Sequence, residues 1–388
     1  MMGGGGPRMR VGIDATAVPR PRAGAGNYIF NLVRAIAEVD GINSYVVFAR
    51  PQLIDEWGIR QPNFRFHANE LRHRPLRLLW EQTVLPVLAR RHRLDVLHSP
   101  HYTFPMLSSA RRVVTILDMT FYLYPQVHSF VKRLFFKRMI RLAVRYADRI
   151  ITISESTASD LFRLVGGEGL PEKTHAVPLA VDSRFRLIQD EAAVAIACRR
   201  LGLEPRRFLL YVGVLEPRKN LPVLLRAFRR ARDEGNRLAL AIVGNRGWKF
   251  ASIFATVQEL GLEKDVIFTG YVSDADLPYV YNGAALFVYP SLYEGFGLPV
   301  LEALSCGTPL ITSNVSSMPE IVGDAGLLIP PSDETRLADA IREVLSDPAL
   351  AASLSEKGRE RAARFSWSRT ARETIAVYAR AAGLLEGA

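Results

Sequence analysis

The strongest constraint on this chain is a repeated alternation. Short apolar runs rich in Val and Ile are followed, almost from end to end, by longer amphipathic segments. In the first half the runs fall at 10–15, 44–50, 64–68, 95–100, 112–117, 149–154 and 174–179, with helical periodicity at about 24–39, 76–92, 128–147 and 155–164. A helix at 190–201 leads into the second set of runs, at 208–213, 239–244, 266–270, 286–290, 309–313 and 326–329. Helical segments fall between these near 220–234, 249–260, 274–283, 298–306 and 333–346. Near-continuous apolar strands alternating with helices predict parallel sheets covered on both faces. Two sets of strands predict an α/β chain of two doubly wound, Rossmann-like domains.

Composition matters where it limits the partners. With 48% hydrophobic and 23% charged residues, the 388-residue chain has ample material for packed cores. Positions 1–185 hold 26 of the 50 basic residues but only 15 of the 39 acidic ones, so the whole net charge of +11 sits in the first half. That asymmetry predicts two units with different partners, one of them meeting something anionic. Two cysteines, Cys198 and Cys306, make neither a disulfide framework nor a thiolate metal site and fit a reducing cytoplasm. No apolar run approaches the roughly 18 residues of a membrane span, and the glycine-rich start lacks the apolar core of a signal peptide. The expected organisation is a flexible tail at 1–8 (with Met9 an alternative start), domains at 9–185 and 186–365, and a final amphipathic helix within 366–388 capped by Ser366.

In open parallel sheets ligands bind at the carboxyl ends of the strands, beside the free amides of helix N-termini. Two motifs fall at such ends. The first is YPSLYEGFGLPVLE at 289–302, where a strand ends at Pro290 and a helix opens at Leu298–Pro299. Gly295 and Gly297 let the backbone approach a ligand, so the amides around Phe296 make an anion cradle. Glu302, one turn into the helix, suits the two hydroxyls of a ribose, and Glu294 lies in the loop itself. Ordinary turn glycines and solvated glutamates account for such a motif about as well when it stands alone. The second motif is YVGVLEPRKN at 211–220: a strand ends at Gly213, and Arg218 and Lys219 project from the turn, with Asn220 as N-cap of the next helix. A diphosphate needs at least two such cations. Gly244 and Tyr271, at the ends of the runs 239–244 and 266–270, join the same edge.

With these motifs in view, the sequence resembles a retaining nucleotide-sugar glycosyltransferase of family 4, of the bacterial mannosyltransferase type and the two-domain GT-B fold. EPRKN at 216–220, the E-x7-E from Glu294 to Glu302, and SCGTPLITSNVSSMPEIVGDAGLLIPP at 305–331 carry the likeness in the second half. PRAGAGNYI at 21–29, DVLHSPHYTFP at 95–105 and Ser154-Glu155 carry it more loosely in the first. The resemblance implies a cleft between an acceptor-binding N-terminal domain and a donor-binding C-terminal one, with the final helix crossing back to the first. It implies that Glu302 holds the ribose, Glu294 the donor-sugar hydroxyls, the amides of Gly295, Phe296 and Gly297 sugar and phosphate, and Arg218 and Lys219 the leaving diphosphate. Gly24 and Gly26 match a phosphate- and acceptor-facing loop, and His101 or His98 matches the active-site histidine. Three positions depart from the pattern: Leu117-Asp118 stands for His-Asp, Asn27 for Arg, and Val214 for Arg.

The expected reaction moves a hexose, GDP-mannose being the favoured donor, to a glycan or lipid-linked acceptor, with no metal and no cofactor beyond the nucleotide sugar. A sugar-nucleotide epimerase on the same fold and a non-catalytic nucleotide-sugar-binding assembly protein are the alternatives. Asp274-Ala-Asp276 has the spacing of a metal motif, but it opens a helix after Ser273 and capping accounts for it. His98 and His101 lack further metal ligands nearby, and Gly24-Ala-Gly26 lacks the third glycine of a dinucleotide fingerprint. Residues 131–149 hold seven basic residues and one acid. On a helix, Leu134, Phe135, Met139, Leu142, Ala143 and Tyr146 share an apolar face, which suits either core packing or an anionic membrane surface on the inner face of the cell membrane. No stacking platform accompanies the charge, so nucleic acid is not an expected partner.

Overall fold

A computed structural model describes residues 8–18, 24–71, 73–233 and 238–385. The segment read as a flexible tail lies, apart from Arg8, outside these residues, as do 21–23 of the first glycine loop. The chain divides into two compact units, Met1–Leu179 with Ser366–Ala388, and Ala180–Phe365.

The first unit is built on seven parallel strands: β1 (Arg10–Asp14), β2 (Ser44–Ala49), β3 (Phe64–Ala68), β4 (Val96–Ser99), β5 (Arg111–Ile116), β6 (Arg149–Thr152) and β7 (Thr174–Ala176), in the order β3-β2-β1-β4-β5-β6-β7. The second has six: β8 (Phe208–Val212), β9 (Ala239–Val243), β10 (Val266–Gly270), β11 (Leu286–Tyr289), β12 (Leu310–Ser313) and β13 (Leu327–Ile329), in the order β10-β9-β8-β11-β12-β13. The central strands β4, β8 and β11 are buried along their whole length, as strands covered by helices on both faces must be. Each sheet reverses its winding once, between β1 and β4 and between β8 and β11. Such a switch point opens a crevice at the carboxyl ends of the strands. The two doubly wound domains of the expected fold are therefore present.

Residues 180–185, assigned on sequence to the first domain, pack in the second unit. The Phe185 ring meets Tyr281 edge-on at 5.9 Å, Arg184 donates to the Asp274 carbonyl at 3.2 Å, and a little further on Ile188 N–H donates to Asn282 Oδ1 at 2.8 Å. The helix Trp367–Ala381 belongs to the first unit. The Ser366 hydroxyl accepts from Arg369 N–H at its start, and Thr374, Val377, Tyr378 and Ala381 are buried at helical spacing.

The helix Pro348–Ala362 has no counterpart in the sequence reading. Its buried residues are Leu354, Gly358 and Ala362, one every fourth position, with little apolar bulk for a periodicity argument to detect. The apolar face expected of the basic helix Phe130–Tyr146 is divided. Met139, Ile140 and Ala143 are buried, whereas Leu134 and Tyr146 are exposed, as are Phe130 and Val131. Only the middle of the helix finds a partner surface, so its first turns present apolar side chains to solvent.

Candidate active site

In the second unit the switch point lies between the ends of β8 and β11, and two glycines clear the way to it. Gly213 and Gly244 end β8 and β9, and Gly213 N–H donates to Val243 O at 2.9 Å. A Cβ on Gly244, whose φ is 142°, would stand 2.1 Å from the Gly213 carbonyl oxygen. Glycine is thus demanded by backbone-to-backbone approach. Beyond Gly213 the turn Pro217–Lys219 carries the two cations.

Both cations are already engaged. Arg218 Nη1 meets Glu294 Oε2 at 2.8 Å and donates to the Tyr293 carbonyl, while Nη2 meets Glu216 Oε1 at 2.6 Å. Lys219 Nζ donates to Glu294 Oε1 at 2.6 Å and to the Tyr289 hydroxyl at 2.7 Å. The reading in which this pair simply projects from its turn is corrected: Lys219 and Glu294 are both buried, and buried charges must be paired. Burial alone would raise the Glu294 carboxyl, but the adjacent Arg218 and Lys219 outweigh it and hold it down at about 2. Two carboxylates and two cations make this cluster neutral overall.

Asn220 holds the N-cap position, its carbonyl accepting from Leu224 N–H at 3.4 Å ahead of the helix Leu221–Asp233, but its side-chain amide works elsewhere. It sits in the left-handed region at φ 60°, and its side-chain amide donates to the carbonyls of Pro290 and Pro331 at 3.1 and 2.7 Å. It therefore ties three strand-end loops together.

The loop after β11 is pinned from the neighbouring loop after β12. Glu294 N–H donates to Ser316 Oγ, and Ser317 Oγ donates to the carbonyls of Glu294 and Phe296. Gly297, at φ 109°, precedes the helix Leu298–Ser305. Among the described residues no protein acceptor takes the N–H groups of Phe296 and Gly297. They are free amides beside a helix start, where the dipole favours an anion. Gly295 and Leu298 are half-buried at the same turn.

Glu302, one turn along, accepts from the Tyr281 hydroxyl at 2.8 Å. Burial raises its carboxyl to about 7 despite that bond, with Asp274 adding to the rise. Asp276 folds back on Ser273, whose hydroxyl accepts from Asp276 N–H at 3.1 Å and donates to its carboxylate at 2.6 Å, closing the turn that precedes the helix Leu277–Gly283. Asp276 itself makes no side-chain bond to the amides of that helix, so the capping expected here is not seen. Among the described residues no group of three metal-ligating side chains occurs. Tyr271, at the end of β10, is 66% exposed and touches none of this cluster's carboxylates or cations through a hydrogen bond.

In the first unit the switch point lies between β1 and β4. Gly24 precedes the helix Ala25–Val39, in which Gly26 is buried and Asn27 exposed. The two histidines part company here. His98, on β4, is fully buried with Nδ1 2.7 Å from the Tyr378 hydroxyl and Nε2 2.8 Å from Thr115 Oγ1. Both ring nitrogens are used within the core, and burial lowers its pKa to about 3. His101 lies in the loop after β4, half-buried, its ring edge-on to Tyr102 and Phe136. Burial and the nearby Arg77 lower its pKa to about 4, so it is neutral at pH 7. Asp118, after β5, accepts from Thr120 N–H and hydroxyl, and its own N–H donates to the Tyr102 hydroxyl at 2.9 Å.

Sequence reasoning missed Glu216, Tyr289, Ser291, whose hydroxyl donates to Glu294 Oε1 at 2.6 Å, and the Ser316–Ser317 pair, which position the cations, Glu294 and the glycine loop. Glu216 stands inside the EPRKN motif, and its sign was the available signal. The others are unremarkable in sequence because their value lies in contacts between loops.

Comparison with known proteins agrees with this geometry. Residues 199–361 match the family described as glycosyl transferases group 1, and residues 22–185 match Glycosyltransferase Family 4. Over 387 residues the chain is 30% identical to O-antigen chain mannosyltransferase B of Escherichia coli, covering 95% of this chain and 99% of that one. The chain belongs to glycosyltransferase family 4. Solved GT-B glycosyltransferases share its fold. Sucrose-phosphate synthase of Thermosynechococcus elongatus superposes with a TM-score of 0.74 at 24% identity, covering 96% of this chain and 99% of that one. HepE of Anabaena, solved with UDP and glucose, superposes with the same TM-score at 18% identity, covering 95% and 99%. This family 4 glycosyltransferase thus carries its acidic and basic motif residues at the carboxyl edge of its second sheet.

Proposed function

We propose that this glycosyltransferase moves a hexose from a nucleoside diphosphate sugar, GDP-mannose being the favoured donor, to a glycan or lipid-linked acceptor with retention of configuration and without a metal. The free amides of Phe296 and Gly297, one loop from Lys219 and Arg218, carry this reading. Glycosyl transfer breaks a C–O bond to a diphosphate, so negative charge grows on the leaving group as the sugar approaches an oxocarbenium ion. Preorganised amides and cations aimed at that charge stabilise the transition state. Glu294 holds Lys219 and Arg218 in place and offers its carboxylate to donor-sugar hydroxyls. Glu302 accepts the ribose hydroxyls. His101, neutral at pH 7, takes the active-site histidine's role on the acceptor side, since both nitrogens of His98 are spent in the core. The relationship to a mannosyltransferase of O-antigen chains favours mannose and a glycan acceptor.

The test is a panel of nucleotide sugars with nucleoside diphosphate release as the readout, with and without a membrane extract. GDP-mannose should turn over fastest, and Glu302→Ala and Lys219→Ala should each lower donor use by 100-fold or more, about the loss of one well-placed stabilising group. Wild-type affinity and rate in both variants would remove this site from the reaction.

A further inference from the structure

His101 lies in a loop that is held from two sides. On one side is the helix Arg74–Arg91. Glu81, fully buried, accepts from the Thr103 hydroxyl at 2.7 Å, and Arg77 donates to the same hydroxyl at 3.2 Å while pairing with Glu81 at 2.8 Å. Gln82 donates to the Phe104 carbonyl at 2.8 Å and accepts from Met106 N–H at 3.0 Å. On the other side Tyr102, in the left-handed region at φ 49°, donates its N–H to Thr115 O, and its hydroxyl accepts from Asp118 N–H. Segment 102–106 is thus tied to the helix through Thr103, Phe104 and Met106 and to the strand-end loop after β5 through Tyr102, and the His101 ring is wedged against Tyr102 and Phe136.

A buried ion pair adds little net stability, because desolvation offsets most of its attraction. Holding a non-glycine residue in the left-handed region is a further cost. An arrangement with so little return in stability has its value in the geometry it imposes. We infer that Glu81, braced by Arg77 and assisted by Gln82, is a positioning residue that sets the place and orientation of the His101 imidazole through the Thr103–Met106 backbone. The inference rests on the reading of His101 given above and extends it to a residue that touches no substrate. Arg77 has a second carboxylate, Asp14 at the end of β1, 3.9 Å away. The brace thus spans both strands of the switch point.

Proton NMR of the seven histidines, with nucleoside diphosphate release from GDP-mannose measured alongside, tests the proposal in the full-length protein. The charged groups facing His101 are Arg77, Arg74 and Asp118. In Glu81→Ala the loop loosens and water reaches the ring while Arg77 loses its nearest carboxylate, so the His101 signal should shift and its pKa should leave the value of about 4. His175, on β7, also starts at about 4 and should stay there. Gln82→Ala, a half-buried site with little folding risk, should shift the His101 signal by less. Turnover in Glu81→Ala should fall roughly 10- to 100-fold, as a small misplacement of a reacting group does, with donor affinity unchanged. Adding Glu81→Ala to a His101→Ala chain should cost nothing more. An unmoved His101 signal in both Glu81→Ala and Gln82→Ala would overturn the positioning role. A His101→Ala chain with wild-type turnover would instead overturn the reading of His101 itself.

Discussion

Glu302 and Glu294 are both glutamates near the start of one helix, yet their surroundings drive them apart. Glu294 faces two cations and is held down at about 2, whereas Glu302 has only the Tyr281 hydroxyl to set against burial and is raised to about 7. A carboxyl raised in the fold is protonated there at pH values where the unfolded chain has already ionised. Its contribution to stability is therefore full below pH 4.5 and is lost as pH rises through 7. Replacing Glu302 by Gln removes that pH-dependent cost. Thermal unfolding should show Glu302→Gln gaining about 2 kcal/mol more over wild type at pH 8 than at pH 5, from about 1.4 kcal/mol per pH unit with allowance for partial exposure. Donor affinity should fall at both. The same stability difference at both pH values would refute the raised carboxyl. Sequence spacing located both residues, but their opposite charge environments come from Arg218, Lys219 and Tyr281, which only the fold brings near.

Among the elements, the helix Phe130–Tyr146 differs most from its sequence reading. Phe130, Val131 and Leu134 are 67%, 75% and 61% exposed, too open to belong to a core. Lys132, Arg133, Lys137, Arg138, Arg141 and Arg145 pair with no carboxylate among the described residues. We propose that these turns rest on an anionic lipid surface, inserting the three apolar side chains while the basic ones meet headgroup phosphates; apolar and electrostatic terms act together at such surfaces. No helix of the described residues is long and apolar enough to cross a membrane. The protein should cosediment with vesicles containing phosphatidylglycerol, and Val131→Asp with Leu134→Asp should abolish binding while donor turnover in solution is kept. Salt should release the wild type by screening. Equal binding to neutral phosphatidylcholine vesicles would count against the charge argument. Periodicity identified this helix and its apolar face but left open what that face meets. Met139 and Ala143 of it are buried and Leu134 and Tyr146 exposed, because a 3.6-residue repeat says which residues share a side and not how much of that side finds a partner.

For the whole molecule, the chain's end completes its beginning. The helix Trp367–Ala381 packs on the helix Ala25–Val39 and against β5 and β6, and its Tyr378 hydroxyl bonds to His98 in the first core. A chain ending at Phe365 would uncover the side of the first helix on which the last one packs and leave His98 Nδ1 without its partner. Burying large apolar side chains contributes about 1.5–3 kcal/mol each, and an orphaned buried polar atom costs about 1–3 kcal/mol. The truncated chain should therefore lose protection from hydrogen exchange across the first unit, while the second keeps its protection and its donor affinity. Loss of protection in both units alike, or in neither, would contradict this division. By itself the amino-acid order determined the number and sequence of the strands, the doubly wound class and the position of the two strand-end motifs, because those rest on local periodicity and on glycine and proline at strand ends. Tertiary structure alone decided that Arg218 and Lys219 are clamped by Glu216 and Glu294, that His98 is spent in the core while His101 is not, and which face of the basic helix is open. These depend on distances between residues far apart in the chain, where burial makes each charge seek a partner that no local pattern names.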